Sequence, residues 1–158
     1  MGYKFTKRIF DLFASFFGII ILLPLFMIVS LLIVSTSKGG IFYKQERIGK
    51  DGKEFKILKF RSMVKNADKK GMQITVDKDN RITKIGKFIR KTKIDELPQL
   101  FNVFIGQMSF VGPRPEVAKY VAMYNEEQRK VLSVKPGITD LASIEYRDEN
   151  EMLKMDEN

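Results

Sequence analysis

The segment LFASFFGIIILLPLFMIVSLLIVSTS, Leu12 to Ser37, holds 26 residues without a formal charge, and that run sets the first condition on any fold. As a helix it is long enough to cross a bilayer core. A signal peptide fits less well, because the run exceeds a usual hydrophobic region and no small-x-small cleavage site precedes Lys38. Pro24 sits within the run, where it removes a backbone hydrogen bond and crowds the preceding turn, so a kink is expected there. Lys4, Lys7 and Arg8 precede the run; Lys38, Lys44, Arg47 and Lys50 follow it. Basic residues prefer the cytoplasmic side, and both flanks ask for it. A helix that breaks near Pro24 and returns to the same face satisfies both flanks, whereas a straight span satisfies one. These residues alone leave both arrangements open.

The chain of 158 residues has no cysteine and no histidine. That excludes disulfide frameworks, thiol nucleophiles, imidazole bases and zinc sites built on those side chains. Chemistry falls to Asp, Glu, Ser, Thr, Tyr, Lys and Arg, or to a hard oxygen-ligated metal such as magnesium. A formal charge of +9 points to an anionic partner: a nucleic acid, an acidic membrane surface or a phosphorylated substrate.

Past Lys38-Gly39-Gly40 the composition turns mixed, which marks a boundary between a membrane segment (1–38) and a second unit (39–144). Residues 41 to 48 and 54 to 61 read as a β-hairpin around the Asp51-Gly52 turn signal. NADKKGMQITVDKDNR, residues 66–81, is polar and aperiodic, so a mobile surface loop is expected. A helix follows, with Thr83 as N-cap and Ile85, Phe88 and Ile89 on one face. A second short helix from about Glu96 carries Leu97, Leu100, Phe101 and Phe104 and ends at Gly106. A third, starting beside Pro115, buries Val117, Tyr120, Val121 and Tyr124 and ends before Lys135. The tail from Glu145 (145–158) has six acids against two bases and little periodicity, so it is expected to be frayed or disordered. The expected fold class is α+β: a membrane helix kinked at Pro24, either re-entrant or spanning, then a small, mainly helical domain with a β-hairpin.

Within KIDELPQLFN, Asp95 and Glu96 stand side by side, after thirteen residues, Arg81 to Lys93, that carry six cations and no acid. One reading makes Asp95 an N-cap, with Glu96 favoured by the helix dipole and Pro98 tolerated in the first turn. The other is phosphoryl transfer. Neighbouring cations and a helix N-terminus lower a carboxylate's pKa and attract phosphate. Two adjacent acids then divide the work, one as nucleophile and one as a Mg²⁺ ligand. Glycosidic acid and base pairs need carboxylates about 5 to 9.5 Å apart across a sugar, an arrangement poorly served by sequence neighbours. Arginine binds phosphate oxygens in pairs. Arg90, one turn before Asp95, and Arg114, held between the prolines of GPRP, are the candidates. Lys59 and Arg61 alternate on a strand and so share a face, lining the same pocket or facing water.

With an apolar N-terminal segment broken by proline, then KFRSM, RKTKIDELPQLFNV, GQMSFVGPRPE and KPGIT in that order, the chain resembles the bacterial monotopic phosphoglycosyl transferases. The resemblance covers residues 4 to about 140. It implies transfer of a phosphosugar from a UDP-sugar to polyprenyl (undecaprenyl) phosphate with release of UMP, at the cytoplasmic leaflet of the inner membrane. It implies that Asp95 forms a covalent phosphosugar intermediate and that Glu96 helps bind Mg²⁺. Arg90, Arg114, Lys59 and Arg61 become phosphate-binding residues. It also implies a re-entrant helix broken at Leu23-Pro24, where Leu23 replaces the serine of some members. Many members continue past KPGIT into a tryptophan-containing segment, whereas this sequence turns acidic and has no Trp.

Two rival classes exist. A basic nucleic-acid-binding protein accounts for the charge but not for the apolar run. A membrane-anchored binding or scaffold protein accounts for both without using Asp95 and Glu96. The sugar, the glycan pathway and any homo-oligomeric state are not encoded in these motifs.

Overall fold

The computed structural model describes residues 2–65, 67 and 79–140. The expected 66–81 loop therefore falls mostly, and the acidic tail wholly, outside the described residues. The elements in chain order are α1 (Gly2–Thr36), β1 (Phe42–Ile48), β2 (Glu54–Phe60), α2 (Lys84–Lys91), α3 (Gln99–Ile105), β3 (Ser109–Val111), α4 (Ala118–Val121), α5 (Glu126–Arg129) and β4 (Gly137–Thr139). The architecture is α+β, with a long apolar helix beside a small domain.

At 1.5 Å per residue, the 35 residues of α1 extend about 52 Å. Helical structure runs unbroken through Pro24. One face carries Asp11, Ser15, Phe26, Val29 and Ile33, all buried. Much of the remaining surface, including Phe13, Phe17, Ile21, Leu23, Met27, Ile28 and Leu31, is apolar and exposed. A helix apolar on every side needs two apolar surroundings, and the domain supplies one of them.

The domain side of that contact is a cluster in which Phe26, Val29 and Ile33 meet Phe60 of β2 and Ile89 of α2. Phe26 approaches Phe60 edge-on at 5.4 Å and Phe101 of α3 at 5.9 Å, separations at which ring quadrupoles attract. Nearer its N-terminus α1 is held by polar contacts. Arg8 donates to the carbonyls of Val103 (2.7 Å) and Phe104 (2.8 Å) at the C-terminal end of α3, where the helix dipole favours a cation. Asp11, buried, accepts from Ser109 Oγ (2.8 Å) and pairs with Lys7 at 3.5 Å. The helix is thus held by one domain near its N-terminus and along its second half.

β1 and β2 form the expected antiparallel hairpin, with Tyr43 opposite Lys59, Gln45 opposite Ile57 and Arg47 opposite Phe55. Asp51, with a φ of 58°, lies in the turn. Phe55 and Ile57 join Val103 and Met108 in a second cluster. Asn102 of α3 ties helix to strand: its Oδ1 accepts from Leu58 N (3.0 Å) and its Nδ2 donates to Lys56 O (2.8 Å).

Three helical expectations change. Thr83 caps α2 as expected, accepting from Gly86 N at 2.9 Å, yet Phe88 is exposed and only Ile89 of its apolar trio is fully buried. The second helix starts at Gln99 rather than near Glu96, and ends at Gly106. The expected third helix is two short pieces, because Asn125 accepts from Gln128 N and its own N–H bonds the Gln128 side chain, a capping box that opens a new start. Of its four expected core residues, Val121 is buried. β3 and β4 pair in parallel, Ser109 with Gly137 and Val111 with Thr139, a contact absent from the sequence reading.

Gly86 sits where α2 meets the chain leaving β2; a Cβ there would lie 1.9 Å from the Ser62 carbonyl oxygen. Glycine-to-alanine changes inside helices ordinarily stabilise, by up to about 1 kcal/mol. Here the sign reverses. Gly86→Ala is expected to destabilise by about 1–3 kcal/mol through overpacking, read as a lower denaturant midpoint in detergent; a raised midpoint would contradict the close approach.

Candidate active site

Asp95 and Glu96 lie in a 3₁₀ turn, Ile94–Glu96, between α2 and α3. Lys93 before it adopts a left-handed conformation, φ 57°, which reverses the chain and sets the two acids in different surroundings. Asp95 caps no helix, contrary to the N-cap reading, since α3 begins four residues later and Asp95 makes no capping hydrogen bond.

Glu96 faces cations. Lys59 of β2 donates to its Oε1 at 2.8 Å, and Arg114 Nη2 lies 3.8 Å from the same oxygen. Burial opposes ionisation of Glu96, but the Lys59 ammonium, by charge and by its hydrogen bond, and then Arg114 and Lys93 override it and hold the carboxyl below its usual range. Asp95 behaves oppositely. It is buried, and its Oδ1 has no hydrogen-bond partner among the described residues. Burial is the largest influence and pushes its carboxyl up, against Lys59, with Glu96 adding to the rise and Arg90 and Lys93 resisting it. The expectation that nearby cations lower the Asp95 pKa is therefore corrected. Charge at a distance reaches Asp95, whereas the hydrogen bond from Lys59 goes to Glu96.

Lys59, Glu96, Arg114, Gln99 and Arg47 line one shallow, open depression. Arg90, in the last turn of α2, is absent from that lining and acts on Asp95 by its charge. Arg61 does not join Lys59 in that depression. β2 ends at Phe60, and the Arg61 guanidinium packs on Gly39 and Gly40 after α1, with Nη1 buried and lacking a partner among the described residues. Leu23 and Pro24 lie inside α1, far along the chain from these groups, and Leu23 is half exposed.

No group of three acidic side chains suited to a metal occurs among the described residues. Magnesium needs only one or two carboxylates when substrate phosphates and waters complete its shell. The Asp95-Glu96 pair, with one unpartnered carboxylate oxygen, fits that requirement.

The sequence reading treated Arg47 as a flanking charge. Its guanidinium in fact reaches the loop that carries Arg114, donating to Pro115 O at 3.0 Å. The available signal was strand parity: in an antiparallel hairpin centred on Asp51-Gly52, residues 45, 47, 57 and 59 share a face.

A family model described as bacterial sugar transferase matches residues 2–158. Over 157 residues the chain is 43% identical to a UDP-glucose:undecaprenyl-phosphate glucose-1-phosphate transferase of Klebsiella pneumoniae, covering 94% of this chain and 33% of that protein. It is 42% identical over 147 residues to a UDP-N-acetylgalactosamine-undecaprenyl-phosphate N-acetylgalactosaminephosphotransferase of Aeromonas hydrophila, covering 90% of this chain and 34% of that one. An exopolysaccharide production protein of Rhizobium leguminosarum is 43% identical over 145 residues, covering 87% of this chain and 72% of its own. By this match over nearly its whole length, and by these identities, the chain belongs to the bacterial sugar transferase family. It spans about a third of the length of the first two relatives.

A buried carboxylate without partners is a liability to folding. Its raised pKa means that protonation favours the native state: the contribution is full below the unfolded-state pKa and is lost as pH rises through the folded value. Asp95→Asn is thus expected to stabilise the protein at neutral pH by about 1–2 kcal/mol. The gain should shrink as pH falls into the ordinary aspartate range. Unfolding midpoints of both proteins across pH test this, and a constant difference at every pH would refute the assignment.

Proposed function

We propose that the chain is a monotopic phosphoglycosyl transferase that moves a phosphosugar from a UDP-sugar to polyprenyl phosphate, releasing UMP, as an initiating membrane step of surface glycan assembly. The observation carrying this reading is the division between Asp95, buried and unpartnered, and Glu96, ion-paired to Lys59 and beside Arg114. A carboxylate not quenched by hydrogen bonds keeps its nucleophilicity. The substrates named for the relatives, UDP-sugars and undecaprenyl phosphate, agree in charge with a site lined by Arg47, Lys59 and Arg114.

In the proposed sequence the donor diphosphate lies in the depression, its oxygens met by Lys59, Arg114 and Arg90. An Asp95 carboxylate oxygen attacks the sugar-bearing phosphorus. The bond from that phosphorus to the bridging oxygen breaks, and UMP departs with the electron pair. Asp95 then carries the phosphosugar as an acyl phosphate. A polyprenyl phosphate oxygen attacks the same phosphorus, forming the polyprenyl diphosphosugar and restoring the Asp95 carboxylate. Magnesium bound through Glu96 and the donor phosphates would screen their charge and let two anions approach.

The re-entrant arrangement of α1 belongs to the same proposal. Lys7, Arg8 and Asp11 near one end, and Ile33 near the other, contact the same domain. That favours both helix ends on one face of the membrane, the cytoplasmic face of the inner membrane by the basic flanks, with the exposed apolar side of α1 turned to lipid.

Two measurements test these readings. Protein purified in detergent with Mg²⁺, polyprenyl phosphate and a panel of UDP-sugars is expected to release UMP with ping-pong kinetics. Asp95→Asn should lose activity by about four orders of magnitude or more, as when a catalytic nucleophile is removed. An obligatory ternary complex, or an active Asp95→Asn, would remove Asp95 from the covalent role; active wild-type protein without added Mg²⁺ and with chelator would remove the metal. Because the chain has no cysteine, a Phe5→Cys variant reports topology. It should resist a membrane-impermeant maleimide added outside intact cells and react once the cells are opened; labelling from outside would establish a straight span.

A further inference from the structure

Arg47 lies on β1 with its guanidinium bonded on two sides. Nη1 donates to the Pro115 carbonyl at 3.0 Å and lies 3.7 Å from Glu116 Oε2. Nη2 and Nε donate to Gln45 Oε1 at 2.8 and 3.3 Å. The next residue, Ile48, donates its N–H to the Glu116 carbonyl at 2.8 Å. β1 therefore holds the two residues that follow Arg114 through a backbone bond, a side-chain bond and an ion pair. Arg114 itself is more than half exposed, and among the described residues its ion pair is the long one to Glu96, 3.8 Å.

From this geometry we infer that Arg47 is a positioning residue for the transferase reaction. Braced by Gln45, it fixes the Gly112–Glu116 loop so that the Arg114 guanidinium points across the depression at the donor diphosphate. The inference rests on the transferase reading of that depression. Three features favour positioning over direct phosphate binding. Three of the five N–H directions of Arg47 already have protein partners. Burial, the largest influence, lowers the pKa of the guanidinium, with Glu116 offsetting it and Arg114 repelling. An exposed arginine flanked by Pro113 and Pro115 has a stiff backbone, so its aim depends on where the loop is docked rather than on bonds of its own. Loop docking by a planar fork predicts that lysine would serve less well there, because an ammonium has no second edge to offer Gln45.

The test uses the full chain in detergent and compares Arg47→Met, Arg47→Lys, Arg114→Ala and the Arg47→Met/Arg114→Ala double variant. Amide exchange at Ile48, Arg114 and Glu116 should quicken in Arg47→Met while α2 and α3 amides keep their wild-type rates. UMP-release kcat/KM should fall about 10- to 100-fold, the loss expected when a binding group is displaced by about 1 Å. Adding Arg47→Met to Arg114→Ala should change kcat/KM little further, because both remove one function. Arg47→Lys should recover part of the loss. Unchanged exchange at the three amides overturns the inference, as do additive losses in the double variant, which would make Arg47 an independent phosphate ligand. If α2 and α3 amides also quicken in Arg47→Met, the exchange pattern of the milder Arg47→Lys decides between loop docking and general loosening. Wild-type protein that releases no UMP counts against the transferase reading, while loop exchange still decides whether Arg47 docks the loop.

Discussion

The contact between one face of α1 and the small domain governs the rest of the molecule. A helix with apolar residues on all sides has no stable place in water, and covering it wholly with protein would need a far larger chain. Here the domain covers the stripe from Asp11 to Ile33 and leaves the other faces apolar. The same stripe organises the side that carries the acidic pair. Phe26 packs on Phe60, the end of β2, and on Phe101 in α3, so the strand bearing Lys59 and the helix behind Glu96 are registered against one ring. The long apolar helix and the site geometry share a core.

Within the site, unequal environments separate two adjacent identical functional groups. The left-handed Lys93 and the short 3₁₀ turn point one carboxylate into the protein and the other toward Lys59 and Arg114. Burial dominates for the first and charge pairing for the second. Enclosing Asp95 costs stability, and the same enclosure raises its carboxyl while Glu96 stays ionised beside it.

Features decided within a few residues were legible in the sequence. The hairpin, the Thr83 cap and the Gly106 stop each depend on local turn chemistry or a side chain reaching three residues along. What the sequence hid was set by contacts at long range or by a small local competitor. The β3–β4 pair joins segments 28 residues apart through three-residue strands too short to carry a pattern. Asn125 divides an apparently continuous helix by offering its N–H groups a better partner. For the site, residue type and the pairing of Asp95 with Glu96 were visible, as was the basic strand. The direction of the Asp95 shift was not, because burial cannot be read from neighbours in sequence. Arg61 was misplaced for a similar reason: strand alternation holds only while the strand lasts, and β2 ends one residue earlier.

The hairpin itself is only two strands wide, so each strand has an outer edge with backbone groups pointing away from its partner. Beside β2, the Asn102 carboxamide imitates a peptide unit, taking the Leu58 N–H and giving to the Lys56 carbonyl. Beside β1, the Glu116 carbonyl takes the Ile48 N–H. Strand edges left open recruit strands from other molecules. A side chain on one flank and a loop on the other thus occupy part of each edge of the hairpin, which limits its use as a template for a further strand.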